Sequence, residues 1–234
     1  MKQNDVILAI TGASGAIYAV RLLQVLLHAR RRVHLSISPS GQAVVQQELG
    51  LDVALDRFEA EQWRPDMDDM SDAAQLLREV TSRDVLVQGV PTANTSALGG
   101  KPGQVVFHNY QNMLAPIASG SFLSGGMVVC PCSGTTLSAI AHSSSGNLIQ
   151  RAAEVQLKER RKLIVVPRET PVSLLQLENL QRVASAGAVV MPASPGWYHG
   201  VSSLADLVDF VVARICDQLE VECSLIKRWG SKEL

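Results

Sequence analysis

The sequence predicts an α/β domain built on a doubly wound parallel sheet. Two observations carry this reading: apolar strand-like runs alternate with segments of helical period, and the first such pair closes into a complete β-α-β unit. A β-α-β crossover enforces parallel strands and a right-handed connection. Size agrees, since 234 residues with 47% hydrophobic content can bury a full core in a single domain.

Residues 7–10 read as an apolar strand that runs into the small-residue turn Thr11-Gly12-Ala13-Ser14-Gly15, with a helix following directly. Glycines there let the backbone approach an anion, and the first N–H groups of the helix would face it, as in a phosphate-binding turn. The pattern is neither G-x-G-x-x-G nor a P-loop, so a generic dinucleotide or ATP site is not licensed, and a plain structural turn stays open. Ile17, Val20, Leu23 and Leu27 recur at helical spacing, and the basic end His28-Ala29-Arg30-Arg31-Arg32 suits a helix C-terminus. Residues 33–38 alternate as a second strand. Further strand and helix pairs fall at 127–130 and 137–142, at 163–166 and 172–184, and at 188–191 and 204–219. Ligands of such sheets collect at the carboxyl ends of strands, where Gly12, Ser38, Ser133, Arg168 and Pro192 would emerge.

Residues 51–106 break this rhythm and read as an insertion in the domain. They hold an acidic patch, Asp66-Met67-Asp68-Asp69, a helical stretch at 73–80 behind an N-capping Ser71, short strands, and turn chemistry at Gly99-Gly100-Lys101-Pro102-Gly103. A mobile cover, an oligomer contact and a surface excursion suit it equally. The expected layout is an α/β domain over 1–220, the insertion at 51–106 and a C-terminal tail over 221–234.

A net charge of −1 leaves no electrostatic footprint for nucleic acid or an anionic membrane, so a small molecule is the expected partner. No apolar run is long enough to span a bilayer, and the opening residues lack a signal-peptide pattern. Cys130, Cys132, Cys216 and Cys223 lie in or beside apolar segments, and Cys130-Pro131-Cys132 is not a redox or zinc spacing. Buried thiols in a reducing cytoplasm are expected, and no metal.

Candidate chemistry clusters at three strand ends and on one helix. Ser133-Gly134-Thr135-Thr136 repeats the first junction with hydroxyls, as N-caps or as phosphate donors. Arg151, Glu154 and Lys158 share one helical face, readable as a solvated salt-bridged surface or as cations for an anionic group. Arg168 and Glu169 follow another strand, where a guanidinium suits phosphate and a carboxylate can accept a proton. Trp197 and Tyr198 are packing residues or a stacking platform, while His142 and His199 read as structural.

Together these motifs resemble the UbiX-type flavin prenyltransferases. The likeness rests on Thr11-Gly12-Ala13-Ser14-Gly15-Ala16, Ala115-Pro116-Ile117-Ala118-Ser119-Gly120-Ser121-Phe122, Cys130-Pro131-Cys132-Ser133, Asn147-Leu148-Ile149 with Arg151-Ala152-Ala153, and Leu157-Lys158-Glu159-Arg160-Arg161. It continues through Pro167-Arg168-Glu169-Thr170-Pro171, Pro195-Gly196-Trp197-Tyr198-His199 and Asp209-Phe210-Val211-Val212-Ala213-Arg214. The resemblance implies a flavodoxin-like or Rossmann-like homo-oligomer, typically dodecameric, that needs no metal. Such an enzyme joins a dimethylallyl group from dimethylallyl monophosphate to N5 and C6 of reduced FMN, and the prenylated FMN serves a UbiD-type decarboxylase. Carried over by position, Gly12, Ala13, Ser14, Ser38, Ser133, Gly134, Thr135, Thr136 and Arg168 would bind FMN. Tyr198 and Arg214 would bind the prenyl phosphate, with Arg151, Lys158 and Glu48 lining that site from neighbouring subunits. Trp229 would close over the substrate, and catalysis would fall to Glu169 as acid/base with Glu48, Lys158, Arg151 and Ser14.

Two other functions fit the same fold. A flavin-dependent cysteine decarboxylase would need a catalytic histidine early in the chain, and residues 12–20 hold none. A non-catalytic FMN carrier for a decarboxylase would need Gly12 to Ser14 and Ser133, but not Glu169, Lys158 and Arg214 together.

Overall fold

A computed structural model describes residues 5–64, 66–83, 103–228 and 230. The Gly99 to Pro102 part of the expected turn and Trp229 lie outside the described residues. Six strands, β1 (Asp5–Ile10), β2 (Arg32–Ile37), β3 (Gln104–Phe107), β4 (Met127–Cys132), β5 (Leu163–Pro167) and β6 (Val189–Val190), form one sheet. All pairings are parallel and the order is β3-β2-β1-β4-β5-β6, the Rossmann order, with its reversal between β1 and β4. Helices α1 (Ala16–His28), α2 (Pro39–Leu49), α3 (Asp72–Thr81), α4 (Gly134–Ala141), α5 (Leu148–Lys158), α6 (Leu174–Ser185) and α7 (Leu204–Leu219) complete the described elements.

Alternation along β1 divides the core into two layers. Val6, Leu8 and Ile10 pack with Leu22 and Leu26 of α1 and Val212 of α7, whereas Ile7 and Ala9 pack with Leu137 of α4 and Leu148 and Ala152 of α5. Central strands buried on both faces need near-continuous apolar runs, which is why β1 and β4 were legible.

The expected insertion is described over 51–64, 66–83 and 103–106, and there it packs against the rest of the domain. Its helix α3, capped by Ser71 as expected, buries Ala74, Leu77 and Val80, and β3 extends the sheet beside β2. As a short, half-buried edge strand, β3 carries little alternation to read. The acidic patch folds back on α3, where Arg78 Nη1 donates to the Asp66 and Asp69 carbonyls at 2.6 and 2.7 Å. Helix α2 is a second departure from the expected pattern, because it buries only Gly41, Val45 and Leu49. Its start signals are present, with Ser38 as N-cap and Pro39 at the first position.

Candidate active site

At the sheet reversal, Thr11 ties β1 to β4. Its buried hydroxyl donates to the Pro131 carbonyl at 2.7 Å and accepts from the Ser133 N–H at 2.8 Å. The turn after β1 is thereby held beside the turn after β4. Ser133 caps α4 by accepting from the Thr136 N–H at 3.3 Å, and Ser38 caps α2 by accepting from Gly41 N–H at 3.0 Å. Glycine is required where these pieces meet: a Cβ on Gly12 would collide with Ser40, and one on Gly41 would lie 2.6 Å from the Ile10 carbonyl oxygen. The result is three helix starts, those of α1, α2 and α4, packed around the carboxyl ends of β1 and β4.

The start of α1 is not open. The first N–H groups expected to face a phosphate donate instead to Glu48, at 2.9 Å from Gly15 and 2.9 Å from Ala16. Gly15 makes this possible by adopting φ 109°, the left-handed region that favours glycine. Tyr18 lies nearby, and burial first, then the charges of Cys130 and Glu48, push its phenol above the usual range. A carboxylate is a stabilising occupant of a helix N-terminus, so α1 is capped from α2 rather than by its own turn. In the turn itself Gly12 and Ser14 are half-buried and Ala13 is buried, while Ser38 and Ser133 give the other two helix starts neutral caps.

Arg168 and Glu169 emerge exposed at the end of β5. Glu169 accepts from Gln176 Nε2 at 3.1 Å, and Gln176 is fixed by a capping box with Ser173 at the start of α6. A Cβ on Gly134 would lie 3.2 Å from the same Gln176 nitrogen, so the turns after β4 and β5 share one wall. Between them runs a cleft of about 70 Å³ lined by Cys132, Gly134, Leu137, Glu169, Val172 and Pro192. Burial pushes the Cys132 thiol up to about 12, so it lines the cleft as a neutral, apolar group. Thr135 is exposed and Thr136 buried in the first turn of α4, and neither lines the cleft.

Of the remaining sequence-predicted residues, Tyr198 in the loop after β6 and Arg151 in the first turn of α5 stay toward the carboxyl edge, and Lys158 does not. Helix α5 descends from the carboxyl edge to the start of β5, so Lys158 ends near the amino edge, paired with Glu159. Arg151, nearer the top of α5, donates to the Ala118 carbonyl at 3.2 Å and to Glu154 at 3.2 Å. The Ser145 hydroxyl, then Arg151, holds the Glu154 carboxyl below the usual range. Helix α7 likewise descends, its end fastened where Lys162 donates to the Gln218 carbonyl, and Arg214 pairs with Asp217 at 2.6 Å. Tyr198 is exposed and meets Phe210 edge-on, with ring centres 5.8 Å apart. His199 stacks on Phe210 and His142 contacts the Ser138 carbonyl, which fits structural roles for both.

Sequence reasoning missed Thr11 as the β1–β4 link and Gln176 as the partner of Glu169. The Ser173-x-x-Gln176 spacing could have signalled the second, whereas nothing local marks the first. Among the described residues no group of His, Cys, Asp and Glu is arranged to hold a metal ion, and no helix is long and apolar enough to cross a membrane.

The sequence pattern of the Flavoprotein family matches residues 1–216. The chain is 42% identical to flavin prenyltransferase UbiX of Pseudomonas aeruginosa, covering 97% of this chain and 94% of that one. It is 40% identical to flavin prenyltransferase UbiX of Alkalihalophilus pseudofirmus, covering 94% of each. Its fold is similar to a crystal structure of AnUbiX in complex with FMN and dimethylallyl pyrophosphate, with TM-score 0.73, 31% identity and coverage of 99% of this chain and 100% of the other. It is also similar to a dodecameric FMN-dependent UbiX-like decarboxylase from Escherichia coli O157:H7, with TM-score 0.71, 30% identity and coverage of 97% of this chain and 100% of that one.

Proposed function

From the premise that the chain belongs to the UbiX-type flavin prenyltransferases of the Flavoprotein family, we propose that its carboxyl-edge crevice joins a dimethylallyl group to reduced FMN. The protein is a flavin prenyltransferase, and flavin N5 and C6 are the proposed points of attachment. The observation that carries the assignment of the site is the packing of the Ser38 and Ser133 helix starts against the Gly12 turn, with Glu169 on the adjoining wall. Neutral hydroxyl caps and unhindered amides suit the FMN phosphate, with the Arg168 guanidinium as its counter-charge.

FMN supplies the nucleophilic ring atoms, and the protein must assist loss of phosphate from an allylic carbon. Cationic side chains meet that demand: each charged hydrogen bond contributes about 1.5–3 kcal/mol, so three or four that strengthen as phosphate departs supply several powers of ten in rate. Arg151, Lys158 and Arg214 are the cations for this role, with the Tyr198 hydroxyl as a further hydrogen-bond donor to the phosphate. The descending course of α5, which carries Lys158 toward the amino edge, supports a site completed by neighbouring subunits of a homo-oligomer, a dodecamer by likeness to the Escherichia coli protein. Glu169, oriented by Gln176, is the acid/base, with Glu48 and Ser14 beside the β1 turn. Trp229 is proposed to close over the substrate from the tail.

The product, prenylated FMN, is proposed to pass to a UbiD-type decarboxylase, and four free thiols among the described residues suit a reducing cytoplasm. The absence of histidine from residues 12–20 and the cationic set both favour this reading over a cysteine decarboxylase or a passive FMN carrier.

The direct test is anaerobic incubation of the protein with reduced FMN and either dimethylallyl monophosphate or dimethylallyl pyrophosphate. A flavin heavier by one C5 unit is expected by mass spectrometry with at least one donor, and its absence with both overturns the assignment. Glu169→Gln should retain FMN while forming the adduct at least roughly tenfold more slowly; unchanged turnover removes Glu169 from the mechanism.

A further inference from the structure

Four cysteines are free among the described residues, but their surroundings differ. Cys130 and Cys132 lie within β4 and are fully buried in the apolar core. Cys216 sits in the last turn of α7, and Cys223 follows a sharp reversal of the chain. The reversal is made by Glu220 in the left-handed region at φ 55°, with the Val221 N–H donating to the Cys216 carbonyl at 2.9 Å. It folds residues 221–223 back onto the helix end, where Cys216 and Cys223 pack in the same buried cluster with their thiols within hydrogen-bonding reach of one another. The Leu225 N–H donates to the Cys223 sulfur, and the Arg228 guanidinium lies close enough to act on it electrostatically.

We propose that Cys216 and Cys223 form a redox-active dithiol that hydrogen peroxide closes to an intrachain disulfide, with Cys223 as the attacking sulfur. Three features assign the roles. Cys223 retains 7% of its surface in contact with solvent and Cys216 none, so the oxidant reaches Cys223 first. Donation from Cys216 and from Leu225 N–H stabilises a thiolate at Cys223, drawing that thiol below the ordinary range, whereas the other three are pushed up. The two thiols already lie within hydrogen-bonding reach, so the resolving thiol needs no rearrangement of the helix.

The step balances without a metal or flavin. The Cys223 thiolate attacks one peroxide oxygen, the O–O bond breaks, and the departing hydroxide takes a proton as water. Cys216 then attacks the Cys223 sulfur of the sulfenic acid, the S–O bond breaks, and a second water leaves. Two thiols are oxidised and one peroxide is reduced. The new bond would fasten the start of the C-terminal tail to the end of α7, next to Asp217, which pairs with Arg214 and Arg228.

Both cysteines fall in one tryptic peptide, 215–227, because no Lys or Arg lies between them. The FMN-bound protein would be exposed to graded hydrogen peroxide, alkylated with N-ethylmaleimide under denaturing conditions, digested and weighed. The expected result is loss of both labels from peptide 215–227, with its mass reduced by two hydrogens, while Cys130 and Cys132 remain fully labelled. Cys216→Ser should instead trap Cys223 as a sulfenic acid detectable with dimedone, and Cys223→Ser should leave Cys216 labelled. Equal oxidation of all four thiols, or full labelling of 215–227 at doses that oxidise the β4 pair, overturns the proposal. The wild-type measurement decides the matter even where a variant folds poorly.

Discussion

After β1 the chain turns through small residues and the first amides of α1 are taken by Glu48, whose carboxylate arrives from the far end of α2. After β4 the chain turns at Ser133, whose own hydroxyl caps α4. The two junctions lie side by side, joined by Thr11, and both are strand-turn-helix. They differ in the charge that meets an incoming anion. At α1 a phosphate must compete with a carboxylate already in place, and at α4 it meets a neutral hydroxyl. A glycine turn therefore permits close approach without specifying who approaches, whereas a hydroxyl turn specifies its cap locally.

Disrupting the shared support should have the largest effect on this comparison. Gly41→Ala places a methyl 2.6 Å from the Ile10 carbonyl oxygen, and backbone cannot yield as a side chain would. A loss of about 3 kcal/mol is expected in urea unfolding, together with reduced FMN retention, because α2 carries both Ser38 and Glu48. An unchanged unfolding midpoint would show that α2 does not depend on this contact.

Acid provides the next test, because neither junction contains a histidine. The buried pair His34 and His108, hydrogen-bonded at 2.9 Å, sits at the β2–β3 side of the sheet. Burial lowers both, His108 to about 4 with the His34 charge adding to the effect; at His34 the Asp5 carboxylate opposes and Arg32 assists. The unfolded chain thus binds protons that the folded chain refuses. Stability should be complete above about pH 6.5 and fall on the order of 2 kcal/mol as pH drops toward 4. His108→Gln should flatten that slope while leaving FMN retention unchanged; an identical slope in the variant would locate the loss elsewhere, the α1 junction included.

Glu48→Ala addresses the difference directly. Removal of the carboxylate leaves the Gly15 and Ala16 amides without their acceptor and is expected to cost about 1.5 kcal/mol. Added inorganic phosphate should recover part of that stability in a thermal melt, since it is the anion the bare helix start accepts. No phosphate dependence would mean that the α1 start is not an anion site even when vacated. Ser133→Ala is the smallest change, at about 1 kcal/mol for one lost cap, and since the α4 start is open to phosphate with or without the hydroxyl, phosphate should stabilise variant and wild type alike rather than close that gap. Recovery there as large as in Glu48→Ala would erase the distinction between the junctions.

Much of this was legible from residues close together in the chain. The apolar runs of β1, β4 and β5, the Ser71 and Ser133 caps, and the period of α1 and α7 are local patterns with local causes. Helix α2 and strand β3 were not, because α2 buries only three residues and β3 is short and half-buried, so neither carries a strong period. At the candidate site, Arg168 and Glu169 were found by their position after a strand, while the partner that orients Glu169 comes from the next helix. Lys158 and Arg214 could be named but not placed, since the direction of a helix relative to the sheet is a property of the fold.

The sequence by itself determined the alternation of strands and helices, the glycine and hydroxyl turns, the family and the chemistry its cations and carboxylate can perform. Each depends on residue type and short spacing, which the chain carries wherever it is. Tertiary structure decided which strands are neighbours, that Glu48 fills the helix start the first turn prepares, and which thiols lie within reach of one another. Those outcomes rest on contacts between distant residues, whose free energy is realised only when the β1–β4 packing has brought them together.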